Sequence, residues 1–132
     1  MAYADVAEGV RRALATYTHA LDDGRADDVV ATFCADGGCD IPGLGAHEGH
    51  AALLAAYSGW RPKRPVRHVI ANTEITSWSD DDAAATSDVI VLAQGKDGAW
   101  AIQVVGRYRD TLHRDAASDS WRFHRRVAEF IA

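Results

Sequence analysis

The sequence has few of the features that mark export, membrane insertion or nucleic-acid binding. Its 132 residues contain no apolar run long enough to cross a bilayer. The segment from Met1 to Arg12 carries Asp5 and Glu8 where a signal peptide needs an apolar stretch. Acidic residues outnumber basic ones, 19 to 14, and a net charge of -5 argues against binding to a phosphate backbone. We therefore predict a cytoplasmic protein with no membrane and no nucleic-acid partner.

Motifs for cofactors and metals are also missing. The chain has neither a Rossmann glycine fingerprint nor a P-loop. It has only two cysteines, Cys34 and Cys39, which we expect to be free thiols. Together with His47 and His50 they could be drawn as a zinc site, but the histidine spacing does not suit one helix face. We predict no metal and no organic cofactor, so any chemistry would rest on acid–base side chains.

The composition is that of a globular protein, with 48% hydrophobic and 25% charged residues, and the length suits a single domain over residues 1–132. Apolar residues at three- and four-residue steps predict a first helix from Tyr3 to Leu21. A second helix is predicted from Ala26 to Cys34 and a third from His50 to Tyr57. Between them, Asp36-Gly37-Gly38 should break the second helix and precede a brief strand, Cys39-Asp40-Ile41.

Four strands are predicted in the second half of the chain. The first begins at Pro65 and continues toward turn residues at Ser79–Asp82, and the others cover Ala83–Gln94, Ala99–His113 and Ser120–Phe130. Sequential strands joined by tight turns form an antiparallel meander. Helices followed by strands indicate the α+β class, with a strongly curved sheet wrapped over the helices and a conical cavity at its open end.

The first long strand carries the residue that most suggests chemistry. Because side chains alternate across a strand, Val66, His68, Ile70 and Asn72 are predicted to share one face. An imidazole between two aliphatic side chains is partly buried and needs a hydrogen-bond partner. His68 is therefore either a general acid or base or a structural tie between the strand and a helix.

Other candidates come from the first helix, from the brief strand Cys39-Asp40-Ile41 and from the strand Ala99–His113. Tyr17 lies on the apolar stripe of the helix, where its hydroxyl is either a donor to a substrate oxygen or part of the core. Asp40 precedes a glycine loop, where it either caps the loop or, if desolvated, acts as a base. Tyr108 and Ile102 share a face of the third long strand, and both are predicted to line a pocket. The remaining candidates for substrate contact are Phe33, Tyr57, Asn72 and Trp60, the last of which either covers the pocket or packs on the third helix.

Several segments, in their order along the chain, resemble a SnoaL-like domain of the nuclear transport factor 2-like superfamily. These segments are Tyr17–Gly24, Phe33–Asp36, Gly49, Arg67–Asn72, Gly106–Asp110 and Trp121–Phe123. The resemblance implies a cone-shaped curved antiparallel sheet wrapped around three N-terminal helices, the cystatin-like α+β barrel. A broad sheet with one uncovered outer face further suggests a homodimer. The superfamily includes dehydratases, isomerases, epoxide hydrolases, polyketide cyclases, dioxygenase small subunits and plain binding modules.

Two branches of the superfamily bear on the site. In ketosteroid isomerase a first-helix tyrosine polarises a carbonyl, and Tyr17 matches it. The isomerase's base is an aspartate just before a proline; here Asp40 is similar, but one residue intervenes, and the isomerase's second acid falls near Tyr108. Scytalone dehydratase has a catalytic histidine on the strand after the third helix, which His68 matches, whereas its second histidine falls near Arg107.

Two classes of function remain open at this point. The first is a cofactor-independent lyase or isomerase acting on a small, apolar, oxygenated molecule such as a polyketide, steroid or terpenoid. The second is a non-catalytic module that binds a small apolar molecule in the same cavity. A third possibility, epoxide hydrolysis, needs two carboxylates bridged by an arginine, for which Asp40, Arg107 and Asp22 could be nominated. Because Asp22 lies at a helix end next to Gly24, we otherwise expect it to have a turn or salt-bridge role.

Overall fold

Three helices and six strands follow one another in the computed structural model, which describes residues 1–131. The helices are α1 (Tyr3–Asp22), α2 (Ala26–Ala31) and α3 (His50–Gly59). The strands are β1 (Phe33–Ile41), β2 (Gly45–Glu48), β3 (Val66–Trp78), β4 (Asp82–Gln94), β5 (Trp100–Asp115) and β6 (Ser120–Ile131). The α+β class and the position of α1 and of the four long strands are thereby confirmed. Among residues 1–131, no helix combines the length and apolarity that crossing a bilayer requires.

All six strands form one curved, open sheet in the order β2-β1-β6-β5-β4-β3. The meander from β3 to β6 is antiparallel, as the tight turns between the strands predict. The pairing of β1 with β6 is parallel, so the prediction of an entirely antiparallel sheet is wrong at this one junction. Because α3 and the four strands β2 to β5 separate β1 from β6, no tight turn imposes an antiparallel pairing on them.

The region between α2 and α3 differs most from the sequence prediction. The helix α2 ends at Ala31 rather than Cys34, and β1 already begins at Phe33. The glycines that were expected to break a helix lie inside β1. A Cβ on Gly37 would come within 2.6 Å of the carbonyl oxygen of Phe123 on β6, so a residue with a side chain does not fit at this position. Glycine thus permits two backbones to approach closely here. The short strand β2, which pairs with β1 through a hairpin, was not predicted.

The apolar stripe of α1 packs against the inner face of the sheet and supplies much of the core. Val6, Val10 and Leu14 are buried there. Phe33 and Phe123 pack against the ring of Tyr17 at centroid distances of 6.1 and 5.7 Å. Because burying a side chain of this size contributes roughly 1.5–3 kcal/mol, this ring cluster holds α1 firmly against β1 and β6.

Extra residues in β3, β5 and β6 interrupt the regular alternation of faces. β3 has two such irregularities, of which the first falls at Asn72, whose φ is 53°, and the second between Ile75 and Ser77. In β5 the irregularity falls at Gln103, between the pairs Val91–Val104 and Leu92–Ile102. In β6 it falls at His124, between the pairs Leu112–Phe123 and Thr111–Arg125. A bulge of this kind changes which residues point inward beyond it, and those at Asn72, Gln103 and His124 alter the composition of the interior.

Candidate functional site

A cavity of about 220 Å³ lies between α1, α3 and the inner face of the sheet. Most of its lining is apolar, with Leu21, Ile41 and Val91 among the contributors. The polar groups that face it are His68, Gln103 and the three phenols of Tyr17, Tyr57 and Tyr108. An apolar pocket with a few convergent polar groups is the usual form of a small-molecule site.

A wider groove of about 930 Å³ runs along the surface between α1 and β3. Asp22 and His68 form part of its wall, and His68 also lines the cavity. The histidine therefore stands at the boundary between the two spaces. We regard the cavity as the candidate site because the three phenols face it and not the groove.

His68 and Asp22 form a nearly buried pair at the edge of the sheet. The imidazole Nδ1 lies 2.6 Å from a carboxylate oxygen of Asp22, and the two side chains are 8% and 5% exposed. The same carboxylate accepts the backbone N–H of His68, at 3.1 and 3.2 Å from its two oxygens. The carboxylate thus clamps the histidine at two points.

This clamp fixes the protonation pattern of the imidazole. An ionised carboxylate only accepts hydrogen bonds, so the Nδ1 atom of His68 must carry a proton. In the neutral ring Nε2 then has a free lone pair. Among residues 1–131, Nε2 has no hydrogen-bond partner in the protein. It is therefore the atom of His68 that can take a proton from a ligand.

Three phenols supply hydroxyl groups to the cavity that His68 also lines. The hydroxyls of Tyr17 and Tyr57 are 2.6 Å apart and share one hydrogen bond. Within the described residues the hydroxyl of Tyr108 has no hydrogen-bond partner. Its oxygen is not among the completely buried side-chain atoms that lack a partner. Burial raises the pKa of all three phenols, that of Tyr17 far above its usual range. All three therefore stay protonated and can act as donors.

A fully buried ion pair lies beneath the phenols. The guanidinium carbon of Arg126 is 3.6 Å from the centroid of the Tyr108 ring and 4.3 Å from that of Tyr17. Its Nε atom is 3.1 Å from Asp110, and both side chains are 0% exposed. Burial raises the pKa of Asp110 to about 6, and the nearby guanidinium opposes this rise. The site therefore combines an imidazole–carboxylate pair, three phenols and a guanidinium.

Five of the nine predicted site residues come together at the cavity. They are Tyr17, Tyr57, Trp60, His68 and Tyr108. The indole of Trp60 meets the imidazole of His68 edge-on, with ring centroids 6.1 Å apart. Tyr17 and His68 therefore look into the same space from α1 and β3. The catalytic role predicted for them stays a prediction.

The other four predicted site residues lie elsewhere. Asp40 is exposed on the outer face of β1, since the neighbours that point inward are Cys39 and Ile41. The first bulge in β3 turns Asn72 outward, where its amide donates to Asp88 at 2.7 Å. The bulge in β5 leaves Ile102 64% exposed. Phe33 belongs to the ring cluster of the core and does not line the cavity.

Four residues that shape the site were not predicted to belong to it. Asp22 was assigned a turn or salt-bridge role because it ends a helix, and Gln103 and Arg126 were displaced by the bulges. Strict alternation from Phe123 would turn Arg125 inward and Arg126 outward, and the extra residue His124 reverses this. Asp110 continues the inward face of Tyr108 and could have been found from that alternation.

The structure does not bring together the residues of two alternative sites, the one for epoxide hydrolysis and the one for zinc. Arg107 binds Asp88 on the outer face at 3.0 Å, so it does not bridge Asp40 and Asp22. His47 and His50 each contact a backbone carbonyl, at 2.8 and 2.9 Å. The described part of the chain contains no group of three or more histidine, cysteine or acidic side chains that could hold a metal ion.

Comparison with known proteins places the chain among structures of the same fold. The family model of the SnoaL-like domain matches residues 3–127. No curated protein sequence matches the chain. A protein from Catenulispora acidiphila in complex with S-DNPA has 25% identity and a TM-score of 0.83, over 96% of this chain and 94% of that one.

Two further solved structures are similar to this chain. ActVI-ORFA from Streptomyces coelicolor has 23% identity and a TM-score of 0.82, over 95% of this chain and 96% of that one. A provisionally assigned scytalone dehydratase from Novosphingobium aromaticivorans has 22% identity and a TM-score of 0.78, over 95% and 83% of the two chains. At these identities the two structures show a shared fold and no more.

Proposed function

The chain belongs to the SnoaL-like domain family, and on that premise we propose that it is a lyase or isomerase that uses only its own side chains. Its substrate would be a small, apolar, oxygenated molecule such as a polyketide, steroid or terpenoid. The observation that carries the proposal is the 2.6 Å contact between His68 and Asp22 beside a cavity that three phenols also face. A histidine that is oriented by a carboxylate and shares a cavity with hydroxyl donors is a general acid–base arrangement.

The proposed reaction begins with proton abstraction by His68. Its Nε2 takes a proton from a carbon next to a carbonyl group, and the imidazolium that forms is stabilised by the carboxylate of Asp22. The electron pair moves onto the carbonyl oxygen, where Tyr108 and one hydroxyl of the Tyr17–Tyr57 pair donate hydrogen bonds. The electron pair then returns from the oxygen, and the imidazolium of His68 gives its proton either to a β-hydroxyl, which leaves as water, or to another carbon, so that an elimination or an isomerisation is complete.

The size and lining of the cavity support a small substrate. Its volume of about 220 Å³ is below the roughly 300–1,000 Å³ of ordinary ligand pockets. The lining is mostly apolar, and the polar groups are confined to the imidazole, the phenols and Gln103. The structure of the Catenulispora acidiphila protein, which is 25% identical, holds the small molecule S-DNPA. This supports the binding of a small organic molecule by the present chain as well.

The proposal is tested by exchanging His68 for Asn. Exchange of α-protons for deuterium in 1-indanone and 4-chromanone, two small apolar ketones, is followed by proton NMR in heavy water. We expect His68→Asn to lower the catalysed rate about a hundredfold or more, because the base is removed. His124→Asn is the matched control, since His124 is exposed on β6 and lies outside the cavity.

Three outcomes would contradict the enzymatic proposal. The first is an unchanged rate in His68→Asn, with the fold verified by circular dichroism. The second is binding of the ketones by the wild-type protein without any exchange above the buffer rate, which would favour the non-catalytic binding module. Equal losses in His68→Asn and His124→Asn would likewise show that the effect does not come from the cavity.

We further propose that two copies of the chain associate through the outer face of the sheet. Four β-branched side chains lie in register across β3, β4, β5 and β6 and form an apolar stripe, which consists of Val69, Ile90, Val105 and Ile131. Three of them are 39–74% exposed. The next row, Asp88, Arg107 and Glu129, carries both signs of charge. A second copy turned about a two-fold axis can therefore match this face with itself.

A further inference from the structure

The buried pair of Arg126 and Asp110 is the feature of the site that the proposed reaction leaves unexplained. Three aromatic rings surround the guanidinium, at 3.6 Å for Tyr108, 4.3 Å for Tyr17 and 4.6 Å for Phe123. The side chain of Arg126 is 0% exposed, so it cannot touch a ligand in the cavity itself. Any influence that it has on the chemistry must come from the field of its charge and from the rings that cover it.

Stability alone is a poor reason to keep this charge in the core. Its contacts with Asp110 are 3.1 Å at Nε and 3.4 Å at Nη2, and the Nε contact is not aligned as a hydrogen bond. Among the described residues, Nη1 has no partner. Burying two charges costs several kcal/mol per ion, and apolar residues of similar volume often serve as well or better. The pair therefore invites a functional explanation.

Two of the three rings that the guanidinium contacts, those of Tyr17 and Tyr108, carry hydroxyl donors of the cavity. A cation over the face of a phenol draws electron density from the ring, which makes the O–H group a stronger donor. Tyr57 is linked to the same system by its 2.6 Å hydrogen bond with Tyr17. Although burial is the larger effect and raises the pKa of each of the three phenols, Arg126 acts to lower it in every case.

Resting on the proposed function, we infer that Arg126 is a positioning residue that acts through the rings of Tyr17 and Tyr108 and makes the cavity selective for a ligand with an ionised oxygen. The ligand class is an enolate or a phenolate on a small apolar skeleton. Asp110 holds the guanidinium under the rings and balances its charge. The neutral form of the same ligand gains less, because its oxygen carries less negative charge for the hydroxyls to meet.

The experiment uses substituted phenols as probes, since their acidity can be varied while their shape hardly changes. Dissociation constants are measured for phenol, 4-chlorophenol, 4-cyanophenol and 4-nitrophenol, and the ionisation of bound 4-nitrophenol is followed by its absorbance as a function of pH. The variants are Arg126→Met, Arg126→Lys and the double variant Arg126→Met with Asp110→Asn, which removes both charges together. Arg125→Met is the matched control, because Arg125 is the exposed neighbour and loses the same charge.

The wild-type protein and Arg125→Met should bind the more acidic phenols more tightly and lower the pH at which bound 4-nitrophenol ionises. In the double variant we expect the preference for phenolate over phenol to fall about tenfold, with Arg126→Lys recovering part of it. A double variant that folds and keeps the full preference would overturn the inference. So would an equal loss in Arg125→Met, or failure of the wild-type protein to bind any phenol of the series.

This experiment is independent of the test with His68. Loss of phenolate preference without any catalysed proton exchange would leave the role of Arg126 in place and remove the enzymatic proposal. Catalysed exchange that depends on His68, together with a phenolate preference that does not depend on Arg126, would give the opposite result. The two proposals can therefore fail separately.

Discussion

At the scale of single residues, Asp110 is the group whose titration should be visible in the stability of the protein. Burial raises its pKa from the ordinary 3.8 to about 6. Between pH 4 and pH 6 the folded protein therefore binds more protons at this carboxyl group than the unfolded chain does. The stability that protonated Asp110 contributes is complete below pH 4 and is lost as the pH rises through 6.

We predict that the free energy of unfolding falls by up to about 3 kcal/mol between pH 4 and pH 6 because of Asp110. The measurement is urea unfolding at several pH values for the wild-type protein and Asp110→Asn. The double variant with Arg126→Met serves if the single variant is too unstable. The carboxylates of Asp88 and Asp115, whose hydrogen bonds lower their pKa, act only at lower pH. Identical pH profiles for wild type and variant would contradict the prediction.

The residues of the candidate site differ in how far the sequence could predict them. Tyr17, His68 and Tyr108 follow regular helix and strand periodicity, and their positions at the cavity agree with it. The position of Asp22 at the end of a helix could be predicted, but its hydrogen bond with His68 could not. The two residues are 46 positions apart in the chain. Such a contact depends on how α1 and β3 come together, and a local pattern carries no information about it.

At the scale of elements, β1 shows that glycine can indicate either a turn or a close contact between two strands. Asp36-Gly37-Gly38 is a typical turn or helix-breaking sequence, and it was interpreted in that way. In the structure it is strand, because the backbones of β1 and β6 approach too closely for a side chain at Gly37. The contact that decides between the two meanings lies in a strand more than eighty residues away, so local sequence could not resolve it.

Replacing Gly37 by Ala should destabilise the protein by about 1–3 kcal/mol. The new Cβ would lie 2.6 Å from the carbonyl oxygen of Phe123 and 3.0 Å from that of Cys34, so backbone rather than a side chain would have to move. The control is Gly59→Ala at the end of α3, where nothing lies within 4 Å and the change should be neutral or slightly stabilising. Both are measured by urea unfolding, and equal effects at the two glycines would refute the close approach.

At the scale of the whole molecule, the curved sheet has an inner face that carries the candidate site and an outer face through which we propose that two copies associate. The inner face holds the phenols, the ion pair and the core. The outer face holds the apolar stripe of Val69, Ile90, Val105 and Ile131, flanked by charged residues. The general architecture could be predicted from the order of helices and strands. The stripe could not, because it depends on the register of four strands.

We predict that Val105→Lys converts a dimer of the wild-type protein into a monomer. Val105 lies in an inner position of the stripe, and a lysine there would place an unpaired charge in a dry interface. The measurement is the molar mass by light scattering at micromolar concentration. Thr111→Lys, on the same face of β5 but outside the stripe, should leave the mass unchanged. A wild-type monomer, or the same mass for all three proteins, would exclude this interface.

The extra residue in β5 has one more consequence. Gln103 is supernumerary with respect to β4, since Val104 and Ile102 on either side of it already have partners. A deletion of this single codon would therefore take one amide away from the cavity without turning any flanking side chain to the opposite face. Natural variation in chain length at this position could retune ligand preference while the histidine, its carboxylate and the phenols stay where they are.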